Sequence, residues 1–160
     1  MSEFIDKKHM PDFDKIQEMK YNRTKDWCNL HLDYLRQNRL KNHPELALPN
    51  LDNLDLPIAK FTKYLFNSIS KKGWSKGSLI VSKLGINADN YQKLQNIIMD
   101  SASKYPAIAK GSNKQGKLYQ QNIIVYDKDN RATNMLVGWI DDHGSTRMTT
   151  AYIEEARDGH

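Results

Sequence analysis

Hydrophobic residues in the last third of the chain fall in three strand-like runs, over residues 116–126, 132–141 and 145–153, with turn residues between them. From Tyr105 onward we therefore expect the period of two of a β-strand rather than the period of a helix. The segments between them, residues 127–131 and 141–145, contain Asp, Asn, Gly and Ser, which favour hairpin turns. A Gly-, Ser- and Asn-rich turn precedes the first strand, and the period of two already begins before it. The pattern therefore predicts an antiparallel meander of three or four strands.

The first part of the chain has the longer spacing of an α-helix. Large side chains recur close to every 3.6 residues from Phe13 to Tyr34. This helix is expected to end at His43, because the α conformation is disfavoured for a residue that precedes a proline. The Pro-, Asn- and Asp-containing segment 45–57 is interpreted as an irregular linker.

Three shorter helices are predicted between this linker and the strands. The first has Pro57 in its first turn and is broken by Lys71–Trp74. The second covers about residues 75–84, with Gly85 as a left-handed terminating residue. The third opens at Asn87.

Length and composition fit one domain with an arm. The chain has 160 residues, of which 39% are hydrophobic, enough for a modest core. We therefore predict an α+β fold in which N-terminal helices pack on a three- to four-stranded antiparallel sheet. An N-terminal helical arm and linker is expected over residues 1–55, and the α+β domain over residues 56–160.

Several classes of protein and of site are not indicated. No apolar stretch approaches the roughly 20 residues that span a bilayer. The first residues lack the apolar region of a signal peptide, so export is expected to depend on another carrier. Cys28 is the single cysteine, which leaves no disulfide framework. The histidines have no metal-ligand spacing and Asp141–Asp142 is interpreted as a solvated turn, so neither a metal nor a cofactor is predicted.

Positive charge is concentrated in the middle of the chain. The net charge is +5 overall, whereas residues 57–126 hold eleven basic and two acidic side chains. Lysines hold phosphates and aromatic rings stack on unpaired bases, so this concentration favours a nucleic acid as partner. Lys110, Lys114, Lys117 and the interleaved Tyr119 are the candidate RNA-binding residues. The alternative is a solvated lysine-rich face.

The last predicted strand adds guanidinium and hydroxyl groups to this picture. In a regular strand Thr150 and Tyr152 lie on one face, and Arg147 and Thr149 on the other. Only one face can line a site, because the other packs on the helices. Arg147 stands at the start of the strand, where a bulge or an end effect would let it reach either side.

These residue types match the needs of metal-free RNA cleavage. The 2′-hydroxyl attacks its own phosphodiester, which requires a base, an acid and donors for the pentavalent phosphorane. His143, in the turn before the last strand, is the nearby side chain that ordinarily exchanges protons near neutrality. The alternatives are an exposed loop histidine for His143, a surface ion pair for Arg147, and ordinary strand packing for Thr150 and Tyr152.

Short sequences within residues 56–154 resemble a known family. In order, they are Phe61–Asn67, Gly73–Gly77, Leu84–Ile86, Tyr119, a strand ending in Trp139, and Arg147–Tyr152. The set resembles a small bacterial domain that occurs at the C-terminal tips of polymorphic and contact-dependent toxins and is appended to phage head proteins. It is also similar to the barnase–EndoU–colicin–RelE superfold of metal-independent ribonucleases.

The resemblance implies a helical layer packed against an antiparallel sheet that cleaves RNA on its concave face. It assigns catalytic roles to one residue of a helix and three of the last strand: Lys76, Arg147, Thr150 and Tyr152. His143 is not fixed by the match and is kept as a reserve acid or base. An apolar position of the family falls on Thr149, which implies that Thr149 faces the core. Residues 1–55 then form either a module for crossing into the target cell or an extra packing element, which we favour.

The predicted function is that of a toxin ribonuclease. It would act on tRNA or another structured RNA in the cytoplasm of a target bacterium, after secretion or delivery as the C-terminal part of a larger toxin. An acidic immunity protein is the expected protein partner, because it would block the nuclease in its producer and complement the basic stretch. The alternative is a non-catalytic RNA-binding or phage accessory module with the same fold. An immunity or adaptor protein fits less well, because proteins that face nucleases are usually acidic.

Overall fold

A computed structural model describes the backbone of residues 13–154 and the side chains of residues 26–154. The chain begins with helix α1 (Phe13–Asn42), a short 3-10 turn (Pro44–Leu46) and strand β1 (Leu54–Asp55). A π-helix (Lys60–Leu65) and the helices α2 (Lys71–Leu84) and α3 (Gln92–Ala102) follow. The last part contains β2 (Ala107–Asn113), β3 (Gly116–Tyr126), β4 (Ala132–Asp142) and β5 (Ser145–Ile153). The predicted α+β fold is confirmed.

The sheet has five strands in the order β1-β5-β4-β3-β2 and is mixed. Strands β2 to β5 form the predicted antiparallel meander. Strand β1 adds a parallel edge, because Leu54 pairs with Thr146 and Asp55 with Arg147. The sequence prediction missed this strand because two residues are too few to show a period of two.

The helical predictions are correct for α1 and need correction after it. Helix α1 ends at Asn42, as the His43–Pro44 sequence predicted. The helix expected from Pro57 is present, but over Lys60–Leu65 it is a π-helix, in which Phe66 N donates a hydrogen bond of 2.8 Å to Phe61 O. A π-helix is rare and has no periodicity that the sequence would separate from an α-helix over six residues.

Two helix boundaries also differ from the prediction. Lys71–Trp74 does not break a helix but begins α2. The predicted end of this helix is confirmed, because Gly85 follows Leu84 in the left-handed conformation with φ of 69°. The last helix begins at Gln92 rather than at Asn87. The Asn87 side chain accepts a hydrogen bond of 2.9 Å from Asp89 N, so it stabilises a turn that delays the helix.

The strand register defines two faces of the sheet. On the face that we call the core face, Met135, Val137 and Trp139 of β4 are fully buried. They belong to one hydrophobic cluster with residues of α2, α3 and the neighbouring strands: Ile80, Leu94, Ile98, Ile123, Met148 and Ala151. Helices α2 and α3 therefore form the layer that covers this face.

The opposite face is partly covered by α1. Arg36 donates a hydrogen bond of 2.6 Å to Asn134 Oδ1, and Asn29 Nδ2 donates one of 3.0 Å to Ala132 O. The Tyr105 hydroxyl donates to Asp33 of α1, and burial followed by this contact raises the Tyr105 pKa. Residues of the predicted arm thus pack on the sheet.

The segment interpreted as a linker also contributes to the core. Leu48 and Leu56 are buried within the same cluster as Trp139. Asn50 Nδ2 donates to Asp141 Oδ1 at 2.8 Å and to Thr146 Oγ1 at 2.9 Å. These contacts attach the segment to the ends of β4 and β5, while a domain boundary at residue 55 stays a prediction.

Candidate functional site

A bulge in the last strand decides which of the candidate side chains share a face. Gly138 of β4 pairs with Thr150, whereas the next residue, Trp139, pairs with Met148. Thr149 is therefore an extra residue on β5. A Cβ atom on Gly138 would lie 2.8 Å from Thr149 Oγ1, so glycine makes room for the bulge.

The bulge brings Arg147 onto the same face as Thr150 and Tyr152. Arg147 pairs with Ile140, two residues from Gly138, and positions two apart on β4 point to the same side. The expectation of opposite faces, which assumed a regular strand, is wrong. Thr149 is half-buried, and its Oγ1 lies beside the position of a Cβ atom on Gly138, which faces away from the core, in contrast to what the resemblance implied.

Lys76 reaches from α2 to β5. Its Nζ donates hydrogen bonds to Thr150 Oγ1 at 3.0 Å and to the Tyr64 hydroxyl at 3.2 Å. The same atom lies 5.2 Å from the ring centroid of Tyr152 and 5.5 Å from that of Tyr64. We call Tyr64, Lys76, Thr150 and Tyr152 the Lys76 cluster. Three of its four members are residues that the sequence predicted.

Two glycines bring α2 close enough to place Lys76 beside Tyr64. A Cβ atom on Gly73 would lie 2.0 Å from the Tyr64 carbonyl oxygen, and one on Gly77 would lie 1.7 Å from the Leu65 carbonyl oxygen. Residues four apart share one face of a helix. Helix α2 therefore packs backbone to backbone against the π-helix, and π-helical turns are frequent at functional sites.

The donors of the Lys76 cluster are not saturated. An ammonium group donates three hydrogen bonds and accepts none, so Tyr64 and Thr150 both act as acceptors toward Lys76. Within residues 26–154, neither hydroxyl has an acceptor for its own proton, and no carboxylate forms an ion pair with Lys76. One ammonium proton and two hydroxyl protons are thus available to an anion.

Arg147 is held by Asp142 beside this cluster. Arg147 Nη1 donates a hydrogen bond of 3.0 Å to Asp142 Oδ2, and the other carboxylate oxygen lies 2.6 Å from His143 Nδ1. The hydrogen bond with His143 and then that with Arg147 lower the pKa of the Asp142 carboxyl. Arg147 lies two ladder positions from Thr150, or roughly 7 Å along the strand.

His143 occupies the tip of the β4–β5 hairpin. Its φ of 55° and the φ of 92° at Gly144 match the left-handed turn that suits the twist of a hairpin. Its side chain is 87% exposed. When Nδ1 donates to the Asp142 carboxylate, Nε2 is left as the proton acceptor.

Four of the other predicted residues lie around an open groove between two hairpin tips. The groove has a volume of about 430 Å³. It is lined by residues of the β2–β3 and β4–β5 hairpins: Ser112, Asn113, Lys114, Gln115, Gly116, Lys117, Tyr119, Asp141, His143 and Gly144. The structure thus brings Lys114, Lys117, Tyr119 and His143 together. Lys110 is exposed on β2 and does not line the groove.

The groove and the Lys76 cluster are separate places on the sheet. Tyr119 pairs with Trp139, so Tyr119 belongs to the core face, where it packs against the hydrophobic cluster. Thr150 lies on the opposite face, and four residues of β4, roughly 13 Å, separate its partner Gly138 from Asp142. A single phosphate cannot contact both places.

A match to a protein family covers the part of the chain that holds both places. The family is described as a domain of unknown function, DUF6883, and it matches residues 47–155. The chain belongs to this family. The DUF6883 match includes all five strands, α2 and α3, and it begins after α1. Comparison with curated proteins and with solved structures finds no match.

Neither a membrane-crossing helix nor a metal-binding cluster is found in the described part of the chain. Within residues 13–154 no helix combines the length and the apolar character that a membrane crossing requires. Among the side chains of residues 26–154, no three or more His, Cys, Asp or Glu are grouped so that they could hold a metal ion.

Sequence reasoning missed three contributors to the site in the DUF6883 domain. Tyr64 lies in Phe61–Asn67, which was noted for the resemblance but given no role. The spacing of Gly73 and Gly77 was a usable signal, because glycines four apart on a helix indicate a close approach. Asp142 has the sequence context of a solvated turn residue, and nothing in its local sequence indicates that it contacts Arg147 and His143.

Proposed function

We propose that the chain is a metal-independent ribonuclease in which the Lys76 cluster holds the scissile phosphate. The observation that carries the proposal is the arrangement around Lys76 Nζ. The hydroxyls of Tyr64 and Thr150 and the side chain of Tyr152 surround this atom, and no carboxylate of residues 26–154 is paired with it. The free donors of such a group are fixed before the substrate arrives. Fixed donors stabilise the charge that develops on phosphate oxygens better than water does.

The proposed reaction is an intramolecular transesterification. The 2′-oxygen forms a bond to phosphorus, the bond from phosphorus to the 5′-oxygen breaks, and the products are a 2′,3′-cyclic phosphate and a 5′-hydroxyl. Lys76, Tyr64 and Thr150 donate hydrogen bonds to the non-bridging oxygens of the phosphorane. The 2′-hydroxyl proton passes to solvent, and the Tyr152 hydroxyl donates a proton to the departing 5′-oxygen.

Arg147 and the groove take supporting roles in this proposal. Arg147 lies on the same face as the cluster. When RNA binds, its guanidinium releases the Asp142 carboxylate and donates hydrogen bonds to the phosphate on the leaving-group side. Lys114, Lys117 and Tyr119 bind RNA beyond the scissile linkage. His143 lies in the groove and acts on a neighbouring part of the RNA rather than on the scissile phosphate.

The biological role that we propose is that of a toxin. The substrate is tRNA or another structured RNA of a target bacterium, which the chain reaches as the C-terminal part of a larger toxin. The order of the short sequences around Lys76 and Arg147 supports this role through the resemblance to toxin domains. An acidic immunity protein is the proposed partner, because residues 56–88 contain six lysines and no acid.

A second candidate function is RNA binding without cleavage. Within the described residues, no carboxylate or imidazole contacts the Lys76 cluster, so the cluster contains no conventional general base. This observation favours a phage accessory or other RNA-binding module that has the same fold.

The test is incubation of the purified chain with total bacterial RNA in the presence of EDTA. We expect discrete fragments with 2′,3′-cyclic phosphate ends, and we expect Lys76→Met and Arg147→Ala to abolish them. Lys72→Met is the matched control, since it removes an exposed lysine of the same helix and should leave cleavage unchanged. Intact RNA that is retained on a filter in a salt-dependent way supports the second candidate. RNA that is neither cut nor retained rejects both.

A further inference from the structure

A second lysine contacts the Tyr64 ring. Lys60 Nζ lies 5.3 Å from the ring centroid of Tyr64, compared with 5.5 Å for Lys76 Nζ. Both lysines are half-buried, and neither forms an ion pair with a carboxylate of residues 26–154. Two cations therefore lie close to Tyr64, and no carboxylate of the described side chains is paired with either of them.

The geometry limits how far apart the two cations are. Because both nitrogens lie between 5 and 6 Å from one centroid, their separation cannot exceed the two distances taken together. Phosphates of one nucleic-acid strand follow one another at about 3.4 Å along a helical axis and farther apart in an extended strand. The two ammonium groups are thus close enough to contact neighbouring phosphates of one strand.

Two like charges beside one side chain repel each other unless an anion joins them. Lys76 Nζ lies 3.2 Å from the Tyr64 hydroxyl and 5.5 Å from the ring centroid, so it lies beyond the hydroxyl end of the ring and gains little attraction from the ring face. The repulsion between the two cations is reduced only by solvent and salt. Residues 56–88, which carry both lysines, include no acid that could compensate them from nearby in the chain. An external polyanion is the natural counter-charge.

We propose that Lys60 and Lys76, which both lie beside Tyr64, hold two consecutive phosphates of one RNA strand. The inference rests on the proposed function for the identity of the ligand and adds the length of substrate that the site requires. The ligand class is an RNA strand with two or more adjacent phosphates, rather than a mononucleotide or a dinucleotide with one internal phosphate. Lys60 is a binding residue for the phosphate next to the scissile one.

The test uses short 2′-O-methyl oligonucleotides, which the chain cannot cleave by transesterification. One probe is a dinucleotide with a single internal phosphate, and two others carry an additional phosphate at the 5′ or the 3′ end. Dissociation constants are measured at low salt by calorimetry. We expect one of the two added phosphates to tighten binding to the full chain by roughly two- to fivefold, the range of a partly exposed ion pair.

Lys60→Met should remove that gain and leave the affinity for the single-phosphate probe nearly unchanged. Lys63→Met is the matched control, because Lys63 is an exposed lysine of the same π-helix with no contact to the Tyr64 ring, and it should keep the gain. Thermal unfolding of both variants shows whether the fold is intact. If Lys60→Met unfolds, Lys60→Gln replaces it, with the same expected loss.

The outcomes separate this inference from the proposed function. Equal gains in Lys60→Met and Lys63→Met would overturn the second phosphate contact while leaving cleavage at Lys76 in place. A gain that depends on Lys60, in a chain that fails to cut RNA, supports the two-phosphate site and rejects the catalytic proposal. No gain from either added phosphate in the full chain overturns the two-phosphate site, and cleavage of total RNA then decides the proposed function separately.

Discussion

The Lys76 cluster and the hairpin groove offer similar side chains in different settings. The cluster joins a π-helix, an α-helix and the last strand, and its lysine is half-buried among hydroxyls and rings. The groove is built from the tips of two hairpins, and its lysines, Lys114 and Lys117, are exposed. Lysine and tyrosine occur in both places, so residue type alone does not separate them.

The difference lies in how much each place is ordered before a ligand arrives. Backbone contact at Gly73 and Gly77 fixes Lys76 relative to Tyr64, so little side-chain entropy is lost on binding. An exposed lysine at a hairpin tip contributes mainly long-range attraction, which salt screens. We therefore assign chemistry to the cluster and capture of RNA to the groove.

The largest expected effect is the loss of the Lys76 ammonium group, compared with the loss of the two lysines of the groove. Lys76→Met should lower kcat/KM for RNA cleavage by roughly 100- to 1000-fold, as loss of a preorganised transition-state donor does. The double variant Lys114→Met, Lys117→Met should lower it by only about 2- to 10-fold, mainly through KM and mainly at low salt. Steady-state cleavage at two salt concentrations measures both. Equal losses at the two places would contradict the division of roles.

The second prediction concerns the backbone contact that orders the cluster. Gly77→Ala places a methyl group against the Leu65 carbonyl, so α2 must move away from the π-helix. We expect a loss of about 3 kcal/mol in the free energy of unfolding, or roughly 6–12 °C in Tm. Calorimetry measures it, with Ser75→Ala on an exposed position of α2 as the control. An unchanged Tm in Gly77→Ala would show that the close contact is not required.

The third prediction uses the bulge, which places two threonines side by side in different environments. Thr150→Val removes the hydroxyl that accepts from Lys76, and we expect cleavage to fall by roughly tenfold with little change in Tm. Thr149→Val is the matched control, because no contact to Lys76 is lost, and cleavage should stay near the wild-type rate. A larger loss in Thr149→Val would mean that the wrong threonine is assigned.

The smallest effect is expected at Asp142, between the two places. The pKa of the Asp142 carboxyl is lowered in the folded chain. The stability that its contacts with His143 and Arg147 contribute is therefore present at pH values above the ordinary carboxyl pKa, and it is lost as the pH falls through the lowered pKa. His143→Gly suits the left-handed turn and should raise the Asp142 pKa more than Arg147→Met does, because the contact with His143 is the larger cause. Carboxyl titration by NMR measures both shifts. The reverse order would contradict the assignment.

Parts of this arrangement were predictable because they are local. The three long strands lie in runs of strand-like composition that turn residues bound on both sides, and the His43–Pro44 sequence marks the end of α1. The π-helix and β1 were not predictable, since each is too short for a period and depends on partners far along the chain. The same holds for Tyr64, whose role depends on contact with α2.

The sequence by itself determined the α+β order of the elements, the concentration of positive charge and the residue types that a phosphate needs, because these depend on neighbours within one segment. The tertiary structure decided that Lys76, Thr150 and Tyr152 meet while Lys117 and Tyr119 lie on the other face of the sheet. One extra residue in β5 reverses which side of the strand faces the core, and two glycines set the distance between two helices. Neither the facing of the strand nor the distance between the helices exists within one segment, because each arises only when the segments pack together.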